Sequence, residues 1–128
     1  MKYCPQFSDS DCGVAALAMV LGEEYVLVRA LVRAMFPWAA TDRRGLTVRE
    51  LEAVAQALGA TTERRRKYDL SADSGILSVR WDPRGWHFAV LRWGLVFDTD
   101  FCVVPADRYL EDLRVPNPRF GGLLVVTR

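Results

Sequence analysis

The hydrophobic pattern starts with a short polar segment that is followed by an unbroken apolar run. Residues 6–11 are mostly polar, residues 14–21 are apolar, and Gly22 comes next. This pattern predicts a polar loop, a buried helix and a glycine at the helix end. Cys12 falls at the junction, in or just before the first helical turn. We expect the rest of the chain to be organised around this stretch.

Two further helices are predicted before residue 60. Residues 23–36 carry apolar side chains at helical spacing, with two glutamates at the start and Pro37 at the end. Farther along, Thr47 and Glu50 have the spacing of a capping box, and apolar positions continue at helical spacing up to Gly59. The amino-terminal half is therefore predicted to be helical.

The pattern changes after Gly59 to short strands separated by turn residues. The predicted strands cover residues 76–81, 87–92, 95–98, 101–104 and 123–127, with a weak helix over 105–113. The charged run 63–67 holds four consecutive cations, and we expect a solvated strand edge there, since charges protect exposed edges. Helices first and antiparallel strands afterwards predict an α+β fold.

Composition narrows the class of protein. A length of 128 residues fits one domain over 1–128, and 51% apolar with 26% charged residues is ordinary for a soluble globular protein. The net charge of +1 gives no reason to expect a nucleic-acid partner. No apolar run is long enough to span a bilayer, and residues 1–5 do not resemble a signal peptide. We expect no membrane segment.

The cysteines and the histidine argue against a metal site and against disulfides. Three cysteines, at positions 4, 12 and 102, form neither a close pair nor an even framework. This usage predicts reduced thiols and a cytoplasmic location. One histidine and three scattered cysteines also lack the close ligand pairs of a zinc site. No metal and no cofactor are therefore predicted.

Cys12 and His87 are the candidate reactive pair. A cysteine at a helix start meets unpaired N–H groups and the positive end of the helix dipole, both of which favour the thiolate. Ser10 or Asp11 can cap that helix. His87, the only histidine, starts a strand just after a turn. A thiol and a base in one cleft suit nucleophilic catalysis, whereas the alternative is a buried structural cysteine.

A third group is needed to fix the orientation of the imidazole. With a turn at residues 93–94, position 87 pairs near position 100, which brings Asp98 and Asp100 close to His87. Both aspartates lie on the same face of a regular strand. Spacing alone does not choose between them.

The chain resembles a known family at these positions. Gln6, followed after five residues by Cys12-Gly13 and an apolar helix, is similar to the nucleophile motif of the C39 peptidases, a branch of the papain-like cysteine proteases. The helix that ends at Gly59 and the strands 87–91 and 95–98 are similar to the elements that follow in that family. The resemblance covers about residues 6 to 100. It implies a papain-like fold with amino-terminal helices packed on a carboxy-terminal antiparallel sheet.

The resemblance also implies a role for each matching residue. Gln6 becomes an oxyanion donor, Cys12 the nucleophile, His87 the acid and base, and Asp98, rather than Asp100, the orienting carboxylate. Three features depart from the family. Position 99 is threonine where proline is usual, the hairpin is shorter, and the chain has no transmembrane or nucleotide-binding part, whereas many members are fused to ABC exporters.

We therefore expect a small stand-alone cysteine peptidase that cleaves a peptide or protein substrate after small residues, with Gly-Gly as the best single prediction. Trp86, next to His87, is expected to wall the substrate cleft. One alternative is an acyltransferase, amidase or deamidase with the same triad. Another is a catalytically silent papain-like domain that only binds a peptide. The sequence names neither the substrate nor an oligomeric state.

Overall fold

The computed structural model describes residues 1–7, 10–40, 45–83, 85–99 and 103–128. The helices are α1 Cys12–Leu21, α2 Tyr25–Met35, α3 Val48–Ala57 and α4 Tyr109–Asp112, with a short 3₁₀ helix at Pro37–Ala40. The strands are β1 Thr61–Arg65, β2 Gly75–Trp81, β3 Gly85–Arg92, β4 Leu95–Asp98, β5 Val103–Pro105 and β6 Arg119–Thr127. Three of the helices precede all of the strands. The predicted α+β class is confirmed.

The strands form one sheet in the order β1-β6-β2-β3-β4-β5, and every neighbouring pair is antiparallel. The hairpin of β3 and β4 has the predicted register, since Ala89 pairs with Asp98 and Arg92 with Leu95. Strand β1 lies at one edge, paired only with β6. The charged run predicted to be a strand edge is thus an edge strand, and its cations discourage pairing with another chain.

The sheet separates two apolar clusters because successive side chains of a strand point to opposite faces. On one face, Phe88 and Val90 pack with the buried sides of α1, α2 and α3. On the other face, Ala89 and Leu91 pack with Tyr109 of α4. Strand β3 is therefore covered on both sides, which explains why it is apolar along most of its length rather than alternating.

Helix α1 is the central helix, with nearly all of its residues buried. It ends at Gly22, whose φ of 65° is in the left-handed region that favours glycine. Asp11 occupies the N-cap position, but its side chain makes no capping hydrogen bond. Its carboxylate instead accepts hydrogen bonds from the Phe7 amide and the Tyr25 hydroxyl. Of the two residues predicted to cap the helix, Ser10 and Asp11, it is Asp11 that occupies the N-cap position, but its carboxylate bonds to Phe7 and Tyr25 instead of to the helix.

Several predicted boundaries differ from those observed. Helix α2 begins at Tyr25, so Glu23 and Glu24 precede it rather than lie in its first turn. Helix α4 is only one turn long, whereas β6 is several residues longer than expected. The start of the predicted strand 101–104 lies outside the described residues, and β5 covers Val103–Pro105.

Helix α3 has the predicted capping box. The Thr47 hydroxyl accepts from the Glu50 amide at 3.2 Å, and the Glu50 carboxylate accepts from the Thr47 amide at 2.8 Å. The helix presses Leu51 against Gly13, where an added Cβ would lie only 2.9 Å from Leu51 Cδ2. The cap of α3 therefore helps to position the residue next to Cys12.

None of the helices in the described part of the chain combines the length and the hydropathy that a membrane span requires.

The capping box supplies the first testable prediction. The substitution Thr47→Ala should lower the free energy of unfolding by about 1 kcal/mol, because the Glu50 N–H group loses its side-chain acceptor. Thr47→Ser keeps the hydroxyl and should stay close to wild type. Urea denaturation followed by circular dichroism measures both. Equal stability of Thr47→Ala and wild type would contradict the cap.

Candidate active site

Cys12 is the first residue of α1 and is only 5% exposed. Its backbone amide is in the first helical turn, where N–H groups lack an intrahelical acceptor. Its chain neighbour Gly13 lets Leu46 and Leu51 approach the helix start closely. The sulfur thus lies in a nearly closed apolar environment at the positive end of the helix dipole.

His87 and Asp98 form a buried pair on β3 and β4. The Nε2 atom of His87 lies 2.8 Å from Oδ1 of Asp98, and both side chains are almost completely shielded from water. Asp98 pairs with Ala89, two residues from His87, so the imidazole and the carboxylate are diagonal neighbours on one face of the sheet. Asp98 therefore has the contact with the imidazole that the resemblance implies. Asp100 lies outside the described residues.

Two tyrosines hold the carboxylate of Asp98 and its backbone. The Tyr109 hydroxyl, on α4, donates to Asp98 Oδ2 inside the apolar cluster that also contains Ala89 and Leu91. The Tyr3 hydroxyl donates to the backbone oxygen of Asp98 at 2.6 Å. A buried carboxylate needs such donors because an unpaired one is costly to bury. These bonds hold Asp98 in the orientation that directs Oδ1 toward His87.

The electrostatics of His87 favour its protonated form. Burial lowers the pKa of the imidazole, but the hydrogen bonds and charges of Asp98 and Cys12 outweigh burial and raise that pKa to about 9. Because Nε2 faces Asp98, Nδ1 is the ring nitrogen left for Cys12. Nδ1 is buried, and within the described part of the chain it makes no hydrogen bond of normal geometry. Such contacts are often long in a free enzyme and shorten when substrate binds.

The rings around His87 restrict its movement. Trp81 packs on the imidazole with the ring centroids 5.2 Å apart. Trp81 is itself buried, so it shields this side of the pair from water. Trp93, at the opposite end of the β3–β4 hairpin, is largely exposed and contacts Phe97. Of these two tryptophans, Trp81 is the one that contacts His87.

Gln6 is anchored next to this pair through Thr99. The Gln6 amide donates to the Thr99 backbone oxygen at 2.7 Å, and the Thr99 hydroxyl donates to Gln6 Oε1 at 2.7 Å. Thr99 directly follows Asp98, the orienting candidate. The amino-terminal segment thus reaches the end of β4, which holds the carboxylate. Through Thr99, Gln6 is thus connected to the residue that bonds to His87.

An apolar groove of about 510 Å³ lies between α3 and the sheet, with Arg64, Arg65 and Arg66 among its lining residues. Its lining includes Leu46 and Leu51, which contact Gly13, and Phe88, which follows His87. Trp86 also lines the groove. It lies on the opposite sheet face from His87, and its ring covers Gly121, where an added Cβ would be 2.6 Å from the indole. Trp86 is therefore a groove residue rather than a direct cover of the imidazole.

Among the residues that the structure describes, no three histidine, cysteine or acidic side chains lie together in a way that could hold a metal ion. The chemistry available at the site is that of a thiol, an imidazole, a carboxylate and a carboxamide.

The sequence model of the Peptidase C39 family matches residues 1–93. The chain belongs to the Peptidase C39 family. The match includes Gln6, Cys12 and His87 and stops before Asp98. Membership in this family supports a peptidase function. No curated protein matches the chain significantly.

Two solved structures are similar over the whole chain. One is the peptidase domain of Streptococcus ComA, a bifunctional ABC transporter involved in quorum sensing, with 20% identity, a TM-score of 0.66 and coverage of 98% of this chain and 97% of that one. The other is the peptidase domain of Streptococcus mutans ComA, with 20% identity, a TM-score of 0.68 and complete coverage of both chains. The fold is therefore the papain-like fold of C39 peptidase domains.

The sequence missed three residues of this C39 site. Tyr3 and Tyr109 donate to Asp98, and Thr99 donates to Gln6. The two tyrosines are far from their partner in sequence, and no local pattern connects them to it. Thr99 was visible in the sequence as a departure from the family, which usually has proline at this position. Trp86 was expected to wall the substrate cleft, and it lines the groove beside α3 on the sheet face opposite His87, so its role in substrate binding stays a prediction.

The pKa of His87 is directly measurable because the chain has a single histidine. We expect the imidazole to titrate near pH 9 in an NMR experiment that follows its ring proton. Asp98→Asn removes the negative charge that helps to raise the pKa of the imidazole, so the midpoint should move down toward 6.5. Asp112→Asn, an exposed control on α4, should leave the midpoint unchanged. A wild-type midpoint near 6.5 would show that the pair does not stabilise the imidazolium.

Thiol reactivity gives a second prediction for the site. Cys12 should react with iodoacetamide at pH 7 at least about tenfold faster than Cys4 or Cys102, since an ordinary thiol is only a few per cent thiolate there. Exposure alone predicts the opposite order for Cys4, which is less buried than Cys12. Burial and the charge of Asp11 also raise the pKa of the Cys4 thiol.

Site-resolved mass spectrometry measures the three alkylation rates, and His87→Ala should slow Cys12 alone. If Cys12 reacted no faster than the other two and His87→Ala changed nothing, Cys12 would not be an activated nucleophile.

Proposed function

We propose that this protein is a cysteine peptidase that cleaves a peptide after small residues, with Cys12 as nucleophile and Asp98 as the orienting group of His87. The observation that carries the proposal is the buried contact of 2.8 Å between His87 and Asp98, with Cys12 near enough to raise the pKa of the same imidazole. A thiol, a base and an orienting carboxylate in this order are the parts of a nucleophilic triad.

In the first step, the Cys12 thiolate attacks the carbonyl carbon of the scissile peptide bond. The His87 pKa of about 9 keeps the imidazole protonated at neutral pH, so the thiolate has a cation beside it. The negative charge that develops on the carbonyl oxygen is held by the Cys12 backbone N–H and the Gln6 carboxamide. His87 then gives its proton to the leaving amine, and the carbon–nitrogen bond breaks to leave a thioester.

In the second step, water releases the acyl group. Neutral His87 takes a proton from the water as its oxygen attacks the thioester carbon. The tetrahedral intermediate uses the same oxyanion donors, and its collapse breaks the carbon–sulfur bond and regenerates the thiolate. Asp98 keeps the imidazole in the orientation that both proton transfers need.

Burial of the reacting groups supports the preference for small residues. Cys12 is 5% exposed and His87 is fully buried, so only a slender, extended segment can bring its carbonyl to the sulfur. Glycine fits such a narrow approach, whereas a branched side chain would clash with packed walls. Gly-Gly is the proposed cleavage site. The rest of the peptide lies along the apolar groove, with Trp86 as a binding residue.

Residues 1–128 form one peptidase domain in this proposal. Its support is that both ComA peptidase domains match nearly the entire chain, and that one sheet carries both apolar clusters. The stand-alone arrangement and the cytoplasmic location stay predictions from the sequence.

The alternatives differ in the fate of the thioester or in whether a thioester forms at all. An acyltransferase, amidase or deamidase uses the same triad with another acyl donor or acceptor. A silent peptide-binding domain has no need for a buried His87–Asp98 pair, whose assembly costs desolvation of both groups. The presence of that pair favours an enzyme.

A library of extended peptides tests the cleavage specificity. Mass spectrometry of the products should show cuts after glycine or alanine, with Gly-Gly preferred, and Cys12→Ala should abolish them. Replacing the residue before the cut by valine should reduce cleavage by more than the roughly tenfold to 200-fold that one methylene difference in a pocket costs.

A preference for a large residue before the cut would contradict the narrow-cleft proposal. Rapid alkylation of Cys12 without cleavage of any peptide would instead favour the acyltransferase or amidase alternative.

A further inference from the structure

Thr99 is bonded to Gln6 at two points. Its backbone oxygen accepts from the Gln6 amide at 2.7 Å, and its hydroxyl donates to the Gln6 side-chain oxygen at 2.7 Å. The two residues are 93 positions apart in the sequence, so this contact is purely tertiary. It fixes both the backbone and the far end of the glutamine side chain.

The environment of Thr99 makes this hydroxyl a dedicated partner of Gln6. Thr99 is 1% exposed, so water does not compete for its proton. The backbone oxygen of Phe88, its other possible acceptor, lies 3.4 Å away, beyond normal hydrogen-bond length for a hydroxyl. The proton therefore goes to Gln6 Oε1, which lies much closer.

This contact determines which way the carboxamide of Gln6 faces. Holding Oε1 on the Thr99 side turns the NH₂ group to the opposite side. A glutamine side chain rotates freely about three single bonds, and an oxyanion donor is effective only when it is aimed in advance at the developing charge. We propose that Thr99 is a positioning residue that orients Gln6 as an oxyanion donor. The inference rests on the role of Gln6 in the proposed function.

The test separates a reaction that forms an oxyanion from one that does not. Acylation of Cys12 by p-nitrophenyl acetate passes through a tetrahedral oxyanion, whereas alkylation by iodoacetamide does not. Thr99→Val keeps the shape and removes the hydroxyl, so acylation should fall about tenfold, the typical size of one hydrogen bond. Alkylation should stay within about twofold of wild type, because the thiolate itself is unchanged.

Three other variants complete the comparison. Thr99→Ser keeps a hydroxyl and should recover most of the acylation rate. Gln6→Ala should lower acylation further, and adding Thr99→Val to it should change nothing more, because the hydroxyl has lost its acceptor. Thr61→Val makes the same chemical change on the edge strand β1, where the hydroxyl is exposed, and should acylate like wild type.

A second measurement follows Gln6 without any reaction. In ¹⁵N-correlated NMR spectra, the two side-chain N–H signals of Gln6 should shift in Thr99→Val and remain in place in Thr99→Ser. The same spectra report whether each variant is folded, and Thr99→Ala replaces Thr99→Val if the valine variant is not.

The outcomes separate this inference from the proposed function. Normal acylation by Thr99→Val, together with impaired acylation by Gln6→Ala, overturns the role of Thr99 and leaves that of Gln6 intact. Normal acylation by Gln6→Ala overturns the oxyanion role of Gln6, and the NMR signals then decide whether Thr99 orients the carboxamide. Unchanged Gln6 signals in Thr99→Val overturn the inference.

Discussion

The buried hydrogen bond between His87 and Asp98 is the interaction on which the site depends. Both side chains are removed from water, and each has a cost of burial that only a partner can offset. The carboxylate meets that cost through His87 on one oxygen and Tyr109 on the other. Removing one of these partners would leave a buried charge incompletely bonded, which is far more costly than the bond itself is stabilising.

The amino-terminal segment is bonded to the end of β4, next to this pair. Tyr3 bonds to the backbone of Asp98, and Gln6 bonds to the next residue, Thr99. Asp11 accepts hydrogen bonds from the Phe7 amide and the Tyr25 hydroxyl. Gln6 is therefore held by tertiary bonds to Thr99, and its neighbour Phe7 is held by the residue that precedes Cys12.

Periodicity predicted the parts of this structure that are determined locally. The helix at Cys12, the capping box of α3 and the register that brings Asp98 next to His87 all follow from spacing and turn residues. The sequence pattern also identified Gln6, but only through the family resemblance. What spacing could not provide were contacts between residues far apart in the chain, such as Tyr109 with Asp98.

The absence of a side-chain cap at Asp11 has the same cause. A short polar side chain before a helix predicts a cap, because the nearest unpaired donors are those of the helix itself. The loop and α2 offer two other donors, the Phe7 amide and the Tyr25 hydroxyl, and the carboxylate bonds to them. Burial and the bond to Asp11 in turn raise the pKa of the Tyr25 phenol, as expected for a hydroxyl that donates to a carboxylate. Local propensity gave way to tertiary bonding.

Residues of the site are supported from both faces of the sheet. Cys12 belongs to the cluster that the helices form on one face, whereas Tyr109, which holds Asp98, belongs to the cluster on the other. His87 interacts with Cys12 and with Asp98. Cys12 and Asp98 are therefore supported by separate apolar clusters, and each of them interacts with the imidazole. The packing of both clusters therefore sets the distances from the imidazole to Cys12 and to Asp98. A change in either cluster can alter these distances without removing any of the three side chains.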